Sequence, residues 1–151
     1  MRVAIGSDHA GYQLKKHLRD WLAARDTEVN DVGPRALDPA DDYPDFAVAV
    51  GEAVRTGKTD LGIVICSTGI GSCIAANKLP GVRAALCHDT FSARLSRLHN
   101  DANVLCVGAD VVTARLAEEI VAAWLSASFS GDERHRRRIE KISRLEPVGQ
   151  E

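Results

Sequence analysis

Residues 62–78 constrain the fold of this chain more than any other stretch. They read Gly62-Ile63-Val64-Ile65-Cys66-Ser67-Thr68-Gly69-Ile70-Gly71-Ser72-Cys73-Ile74-Ala75-Ala76-Asn77-Lys78. The run begins with apolar, β-branched residues, the composition of a strand buried on both faces. It ends in small residues and good helix formers. Between the two lies a tight turn with two glycines and three hydroxyls. A strand that passes through a glycine-rich turn into a helix aims free backbone N–H groups at whatever sits above the sheet. Cys66 is the last residue of that strand, at the mouth of the turn.

Free cysteine is among the most buried residue types, so a plain core thiol is the simplest reading of Cys66. Its position favours a functional one. The positive end of a helix macrodipole stabilises a thiolate. Thr68 can hydrogen-bond across the turn, and Gly69 and Gly71 leave room for a ligand. Three known anion-binding motifs fail here. A phosphatase loop needs arginine six residues after its cysteine, where this chain has Ser72. A dinucleotide fingerprint needs a third glycine where Ile74 stands, and the Gly-Lys-Ser/Thr ending of a Walker loop is missing. The turn suits an anion or oxyanion, but not in the common nucleotide-binding ways.

The rest of the chain supplies the setting. Its 151 residues suggest one domain, residues 1–151, with a sizeable core. A hydrophobic fraction of 45% with 26% charged residues is that of a soluble globular protein. A net charge of -2 gives no basic field for nucleic acid. Cys66, Cys73, Cys87 and Cys106 all lie in or beside apolar segments, with no CxxC pair and no histidine at zinc spacing. No signal peptide and no long apolar span is visible, so a reduced, cytoplasmic protein without membrane contact is expected.

Strand and helix signals alternate along the sequence. Met1 to Ser7 reads as a strand. Tyr12 to about Arg25 reads as a helix with Leu14, Leu18, Trp21 and Leu22 on one face. Thr27 to Val32 is a second strand ended by Gly33-Pro34, and Arg35 to Asp42 is a polar surface loop. Pro44 opens a helix with Phe46, Val50 and Val54 buried. After the central strand and helix, Val82 to Cys87 is a fourth strand, and a helix through Leu95 and Leu98 ends near His99-Asn100. Val104 to Val107 is a fifth strand, and Leu116, Ile120, Val121 and Trp124 mark the next helix. Residues 131–146 form a charged last helix carrying Ile139, Ile142 and Leu145. This alternation predicts an α/β fold, a five-stranded parallel sheet covered on both faces, with ligands bound beyond the carboxyl ends of the strands.

Several polar residues fall at those ends. Asp8-His9 follows the first strand, although aspartate there also suits a turn or helix cap. Tyr43 reads as a loop-packing aromatic and His88 as a surface loop residue. His99-Asn100 ends a helix, where histidine suits the dipole. Being away from the strand ends of its own subunit, this pair reaches a site some other way, as in a neighbouring subunit. Arg134 and Arg138 stand i, i+4 on one helix face, and two guanidiniums so placed suit a phosphate.

Taken together, these residues resemble a family. Gly6-Ser7-Asp8-His9-Ala10-Gly11, Asp42-Tyr43-Pro44, Cys66-Ser67-Thr68-Gly69-Ile70-Gly71, Ala75-Ala76-Asn77-Lys78, His99-Asn100-Asp101-Ala102-Asn103-Val104-Leu105 and Arg134-His135 with Arg138 are similar to ribose-5-phosphate isomerase B, in order and over nearly the whole chain. Allose-6-phosphate and galactose-6-phosphate isomerases belong to the same wider group. The resemblance implies a three-layer α/β/α Rossmann-like sandwich and an aldose–ketose isomerase without cofactor or metal. It implies a homodimer or dimer of dimers with sites at the interface. Cys66 would move a proton between C1 and C2 of the open sugar, Thr68 would help orient it, and the N–H groups of Ser67, Gly69, Ile70 and Gly71 would hold the enediolate oxygen. His99 from the neighbouring subunit would open the furanose ring, with Asp8 handling ring-hydroxyl protons. Tyr43 and Asn100 would position the sugar, and His9, Arg134 and Arg138 the phosphate. The chain departs from the pattern at Asp110, where ribose-5-phosphate isomerases of this type often carry arginine.

Two other readings accompany the isomerase of ribose 5-phosphate or of another sugar such as allose 6-phosphate or a tetrose phosphate. One is a phosphate- or nucleotide-binding module on the same sheet. The other is a thiol enzyme with Cys66 as nucleophile, against which the missing resolving cysteine and phosphatase arginine count.

Overall fold

In the computed structural model, which describes residues 1–146, the apolar runs become five parallel strands and the amphipathic runs the helices over them. In chain order these are β1 (Arg2–Ser7), α1 (Tyr12–Ala23), β2 (Glu28–Gly33), α2 (Tyr43–Arg55), β3 (Leu61–Cys66), α3 (Ile70–Ala76), β4 (Ala84–Leu86), α4 (Thr90–Asn100), β5 (Val104–Gly108), α5 (Ala114–Ser126) and α6 (Glu133–Ser143). The sheet order is β2-β1-β3-β5-β4, and every pairing is parallel. After β2 the chain crosses β1 to place β3 on its other side. The strand order therefore reverses between β1 and β3, and that reversal opens a crevice at their carboxyl ends.

The period of two along each strand divides the core. Val3, Ile5, Ile63, Ile65, Leu105 and Val107 face α1, α4 and α5, where they meet Leu14, Leu18, Leu22, Ile120, Val121 and Trp124. Ala4, Val64, Val104 and Cys106 face α2 and α3, where they meet Ala47, Val50, Ala53 and Ala76. This is the three-layer sandwich expected from the sequence. The first interface is made of large side chains and the second of small ones, so α2 and α3 ride close to the sheet on the side that Cys66 faces. Among the described residues, no helix is long and apolar enough to cross a membrane.

Element ends differ from the sequence reading where side chains compete for the backbone. The fourth strand keeps only Ala84–Leu86 of the expected Val82–Cys87. Val82 is turned back by an N–H bond to the Leu79 carbonyl, and Asn103 takes the Arg83 N–H at 2.8 Å. On the open edge Asn77 brackets Ala84, donating to its carbonyl and accepting its N–H, both at 2.9 Å. The amide stands in for a neighbouring strand. Helix α1 stops at Ala23, and α6 is shorter than 131–146. Of α6 only His135 is buried, and Ile142 and Leu145 stay 46% and 83% exposed.

One core residue was hidden from the hydrophobic pattern. Lys15 is 1% exposed. Its Nζ donates to Asp31 Oδ1 and to the Pro34 carbonyl, both at 2.7 Å. One turn earlier, Tyr12 donates its hydroxyl to the Arg35 carbonyl at 3.2 Å. Helix α1 thus ties down the start of the loop between β2 and α2. Removing one partner of a buried pair strands the other; because Asp31 keeps some solvent contact, Lys15→Met is expected to cost on the order of 2 kcal/mol of unfolding free energy. Urea denaturation checks this, and an unchanged midpoint would show that the pair does not hold the loop.

Candidate active site

The exit of β3 is crowded by backbone rather than by side chains. Gly69 takes φ +78°, a left-handed conformation that costs glycine nothing. Its N–H turns back to Cys66 Sγ at 3.1 Å. The Ile70 N–H reaches Thr68 Oγ1 at 3.3 Å, and the Cys73 N–H bonds the Gly69 carbonyl to start α3. The N–H groups of Gly71 and Ser72 have no acceptor among the described residues. From the other side, the Ala109 and Asp110 N–H groups bond the carbonyls of Cys66 at 2.8 Å and Ser67 at 2.9 Å. That clamp requires Gly108, since a Cβ there would sit 2.7 Å from the Thr68 carbonyl oxygen.

Two further elements close on the same turn. Tyr43, the first residue of α2, lays its ring over Gly71, where a Cβ would lie 2.5 Å from Tyr43 Cζ. The loop after β1 presses onto β3, where a Cβ on Gly11 would lie 2.6 Å from the Ile65 carbonyl oxygen. Asp8, 6% exposed, accepts the Gly11 N–H at 3.0 Å, so its turn-capping role is realised. Beside it, the His9 ring donates from Nδ1 to Asp41 Oδ1 at 2.8 Å. The Asp41 carboxylate raises the His9 pKa above its ordinary value, against a desolvation cost and with help from Asp8. Nothing in the sequence marked Asp41 apart from its place before Asp42-Tyr43-Pro44.

Asp8, His9, Tyr43 and the Cys66–Gly71 turn therefore stand together at the crevice between β1 and β3. The other four anticipated site residues lie elsewhere in the subunit. Asn100 closes α4 at the amino end of β4, where Arg83 Nε donates to its carbonyl at 3.0 Å. His99 stacks on His135 of α6 with ring centroids 4.4 Å apart. His135 bonds Ser130 at 2.8 Å, and burial, followed by the charge on His99, lowers its pKa. Its hydrogen-bond partner lies in the loop before α6, to which the sequence reading assigned no part. Arg134 and Arg138 are exposed on α6, Arg134 3.9 Å from Asp132 and Arg138 without an ion pair among the described residues. Asp110 pairs with neither arginine. It is exposed beside Ala10, Gln13 and His17 in a cleft of about 320 Å³.

These features have close counterparts. The family model described as Ribose/Galactose Isomerase matches residues 3–142. Ribose-5-phosphate isomerase B of Escherichia coli is 46% identical over 145 residues, 96% of each chain. A D-erythrulose-4-phosphate isomerase of Pectobacterium atrosepticum is 44% identical over 133 residues, 87% of this chain and 86% of its own. Among solved structures, ribose-5-phosphate isomerase B of Clostridium thermocellum superposes with a TM-score of 0.93 at 51% identity, covering 96% of this chain and 97% of that one. The enzyme of Mycoplasma genitalium, solved with bound ribulose 5-phosphate, gives 0.90 at 46% identity, covering 95% and 94%.

Cys73, on α3, carries a lowered pKa. The Cys106 thiol hydrogen-bonds Cys73 and, against the cost of burial and with help from Leu86 and Asn77, draws it down to about 7. The fully buried Cys106 is pushed up in return. Thiolate fraction rises with pH through the pKa, so alkylation of Cys73 by iodoacetamide should climb around pH 7, well below an ordinary thiol. Cys66, Cys87 and Cys106, all 3% exposed or less, should trail it. Peptide mapping by mass spectrometry checks the order, and Cys66 labelling ahead of Cys73 would contradict it.

Proposed function

The chain belongs to the ribose/galactose isomerase family and is an aldose–ketose isomerase; from that premise we propose that it interconverts ribose 5-phosphate and ribulose 5-phosphate through an enediolate at Cys66. The observation that carries the reading is the β3 exit. Cys66 Sγ is fixed at 3.1 Å by the Gly69 N–H, beside the N–H groups of Gly71 and Ser72 that have no acceptor among the described residues, at the strand-order reversal. The proton alpha to a carbonyl is weakly acidic, so a base helps only if the oxyanion is stabilised as the proton leaves. In the proposed reaction Cys66 takes the C2 proton of the open aldose and returns it to C1. Thr68 orients the thiol, and the Ser67 and Gly71 N–H groups meet the developing oxygen charge, those of Gly69 and Ile70 being already bonded to Cys66 Sγ and Thr68 Oγ1. Tyr43, over Gly71, borders the sugar, and His9 faces the phosphate.

The remaining roles require a second copy of the chain. A strand of five to six residues spans about 17–20 Å, so a residue at the amino end of the sheet does not reach the carboxyl end of the same sheet. A twofold dimer brings the two ends together twice, giving two equivalent sites. His99 of the partner subunit would then open the furanose ring, with Asp8 handling the hydroxyl proton, Asn100 positioning the sugar, and Arg134 and Arg138 completing the phosphate site. Four free cysteines fit a reducing, cytoplasmic setting. A tetrose phosphate is the second reading, favoured by the 44% identity to a D-erythrulose-4-phosphate isomerase and by Asp110, whose carboxylate is a poor neighbour for a phosphate.

Steady-state assays on ribose 5-phosphate, allose 6-phosphate and erythrulose 4-phosphate identify the sugar, and highest kcat/KM on ribose 5-phosphate is expected. Failure to turn over any phosphosugar would leave a binding module instead. Cys66→Ala is expected to lower kcat by at least roughly a thousandfold with the fold intact. Near-normal turnover would move the base elsewhere. Mixing Cys66→Ala with His99→Ala subunits should restore roughly a quarter of wild-type activity after random exchange, since half the dimers then carry one complete site of two. No recovery after verified exchange would place the site within one chain.

A further inference from the structure

We propose that Asp41 is the positioning residue of the phosphate site, holding His9 as an oriented cation at the crevice. The inference rests on reading His9 as a phosphate ligand, and it adds a residue that no sequence pattern marked.

Asp41 lies in the loop between β2 and α2, 32 positions from His9. A single oxygen, Oδ1, accepts both the backbone N–H of His9 and its ring Nδ1, each at 2.8 Å. The first bond fixes where the histidine backbone sits and the second fixes the ring. The ring proton is thereby assigned to Nδ1, which leaves Nε2 to face outward. The exposures agree: the Asp41 side chain is 10% exposed and the His9 side chain 42%. The other carboxylate oxygen, Oδ2, is buried without a partner among the described residues. Among the described residues the carboxylate therefore accepts hydrogen bonds from His9 alone.

The loop is anchored so that this contact persists. Lys15 holds the Pro34 carbonyl, Tyr12 the Arg35 carbonyl, and Asp38 accepts the Ala40 N–H at 3.0 Å to shape the turn just before Asp41. The charged groups acting on the His9 ring are Asp41 from this loop and Asp8 from the β1 exit, and both favour the imidazolium. A histidine of ordinary pKa is largely neutral at pH 7.5. Paired with Asp41, His9 keeps its charge to higher pH, and a cationic donor binds a phosphate dianion far better than a neutral ring. As pH rises through the elevated pKa the charge is lost and phosphate affinity falls.

Asp41→Asn tests this, because the amide oxygen still accepts both His9 bonds while the charge is gone. Between pH 7 and 9 the substrate phosphate stays dianionic, so changes there belong to the protein. The His9 ring, followed by NMR, should titrate at lower pH in Asp41→Asn than in wild type. At pH 7.5, KM for ribose 5-phosphate and Ki for inorganic phosphate should rise about tenfold, as for loss of one charged hydrogen bond, with kcat kept. Asp41→Glu should restore the wild-type pH dependence of both, and Asp41→Asn should add nothing in a His9→Ala background. An unmoved His9 titration would overturn the assignment of Asp41. If His9→Ala raises KM and Ki but Asp41→Asn leaves them unchanged, Asp41 alone is excluded. If neither variant weakens phosphate, the reading of His9 as a phosphate ligand falls, and the role of Asp41 with it.

Discussion

Everything at the carboxyl end of this sheet depends on how closely separate stretches of backbone approach the exit of β3. Three positions lack a Cβ for that reason. Gly11 lets the β1 exit rest on the Ile65 carbonyl, Gly108 lets the β5 exit rest on Thr68, and Gly71 admits the Tyr43 ring. Each contact is between groups that alanine would drive apart. The result is a turn whose Cys66 and Ser67 carbonyls are taken by the Ala109 and Asp110 N–H groups, while its Gly71 and Ser72 N–H groups have no acceptor among the described residues. A turn held this way pays its ordering cost on folding, which in the proposed reaction leaves less reorganisation as charge develops above it.

The asymmetry of the two core faces serves the same end. On one side of the sheet Leu, Ile and Trp provide the bulk of the apolar burial. On the other, Ala, Val and Cys set α2 and α3 low on the strands, which brings the α2 start, with Tyr43, down to the level of the Cys66 turn. Larger residues at Ala47, Ala53 or Ala76 would lift these helices and widen the crevice. Small side chains on that face are thus part of the site's geometry.

Strand–helix alternation and the Cys66 turn were legible because they are local. β-branched runs, glycine spacing and helical periodicity each act over a few residues. The contents of β1, β3 and β5 follow from them almost residue by residue. Local pattern says less where a distant side chain decides. The fourth strand is short because Asn103 and Leu79 claim its first residues, and its edge is covered by Asn77, whose run Ala75-Ala76-Asn77-Lys78 gave no hint of that role. Lys15 lies outside the apolar positions of its amphipathic helix, yet it is buried by partners 16 to 19 residues on, Asp31 in β2 and Pro34 just after it. Asp41 and the His99–His135 stack belong to the same class, since each joins segments whose sequences carry no sign of the other. His99 could be placed away from the crevice from topology alone, because a helix that follows a parallel strand must run back to the amino end of the sheet.

Position 110 shows how the scaffold and the chemistry are kept apart. What the fold needs from Asp110 is its N–H, bonded to the Ser67 carbonyl at 2.9 Å, and any residue but proline supplies that. The side chain is exposed and enters no ion pair among the described residues. Charge at this edge of the crevice can therefore change sign without disturbing the turn that holds Cys66. By contrast, the groups that set thiol geometry, Gly69 and the Gly108 clamp, have no such freedom, because their backbone conformation and close contacts tolerate no side chain. On the proposed reading, substrate preference would vary through side chains such as Asp110, while the Cys66 turn stays fixed by backbone. Relatives named for a pentose phosphate and for a tetrose phosphate match this chain at 46% and 44% identity.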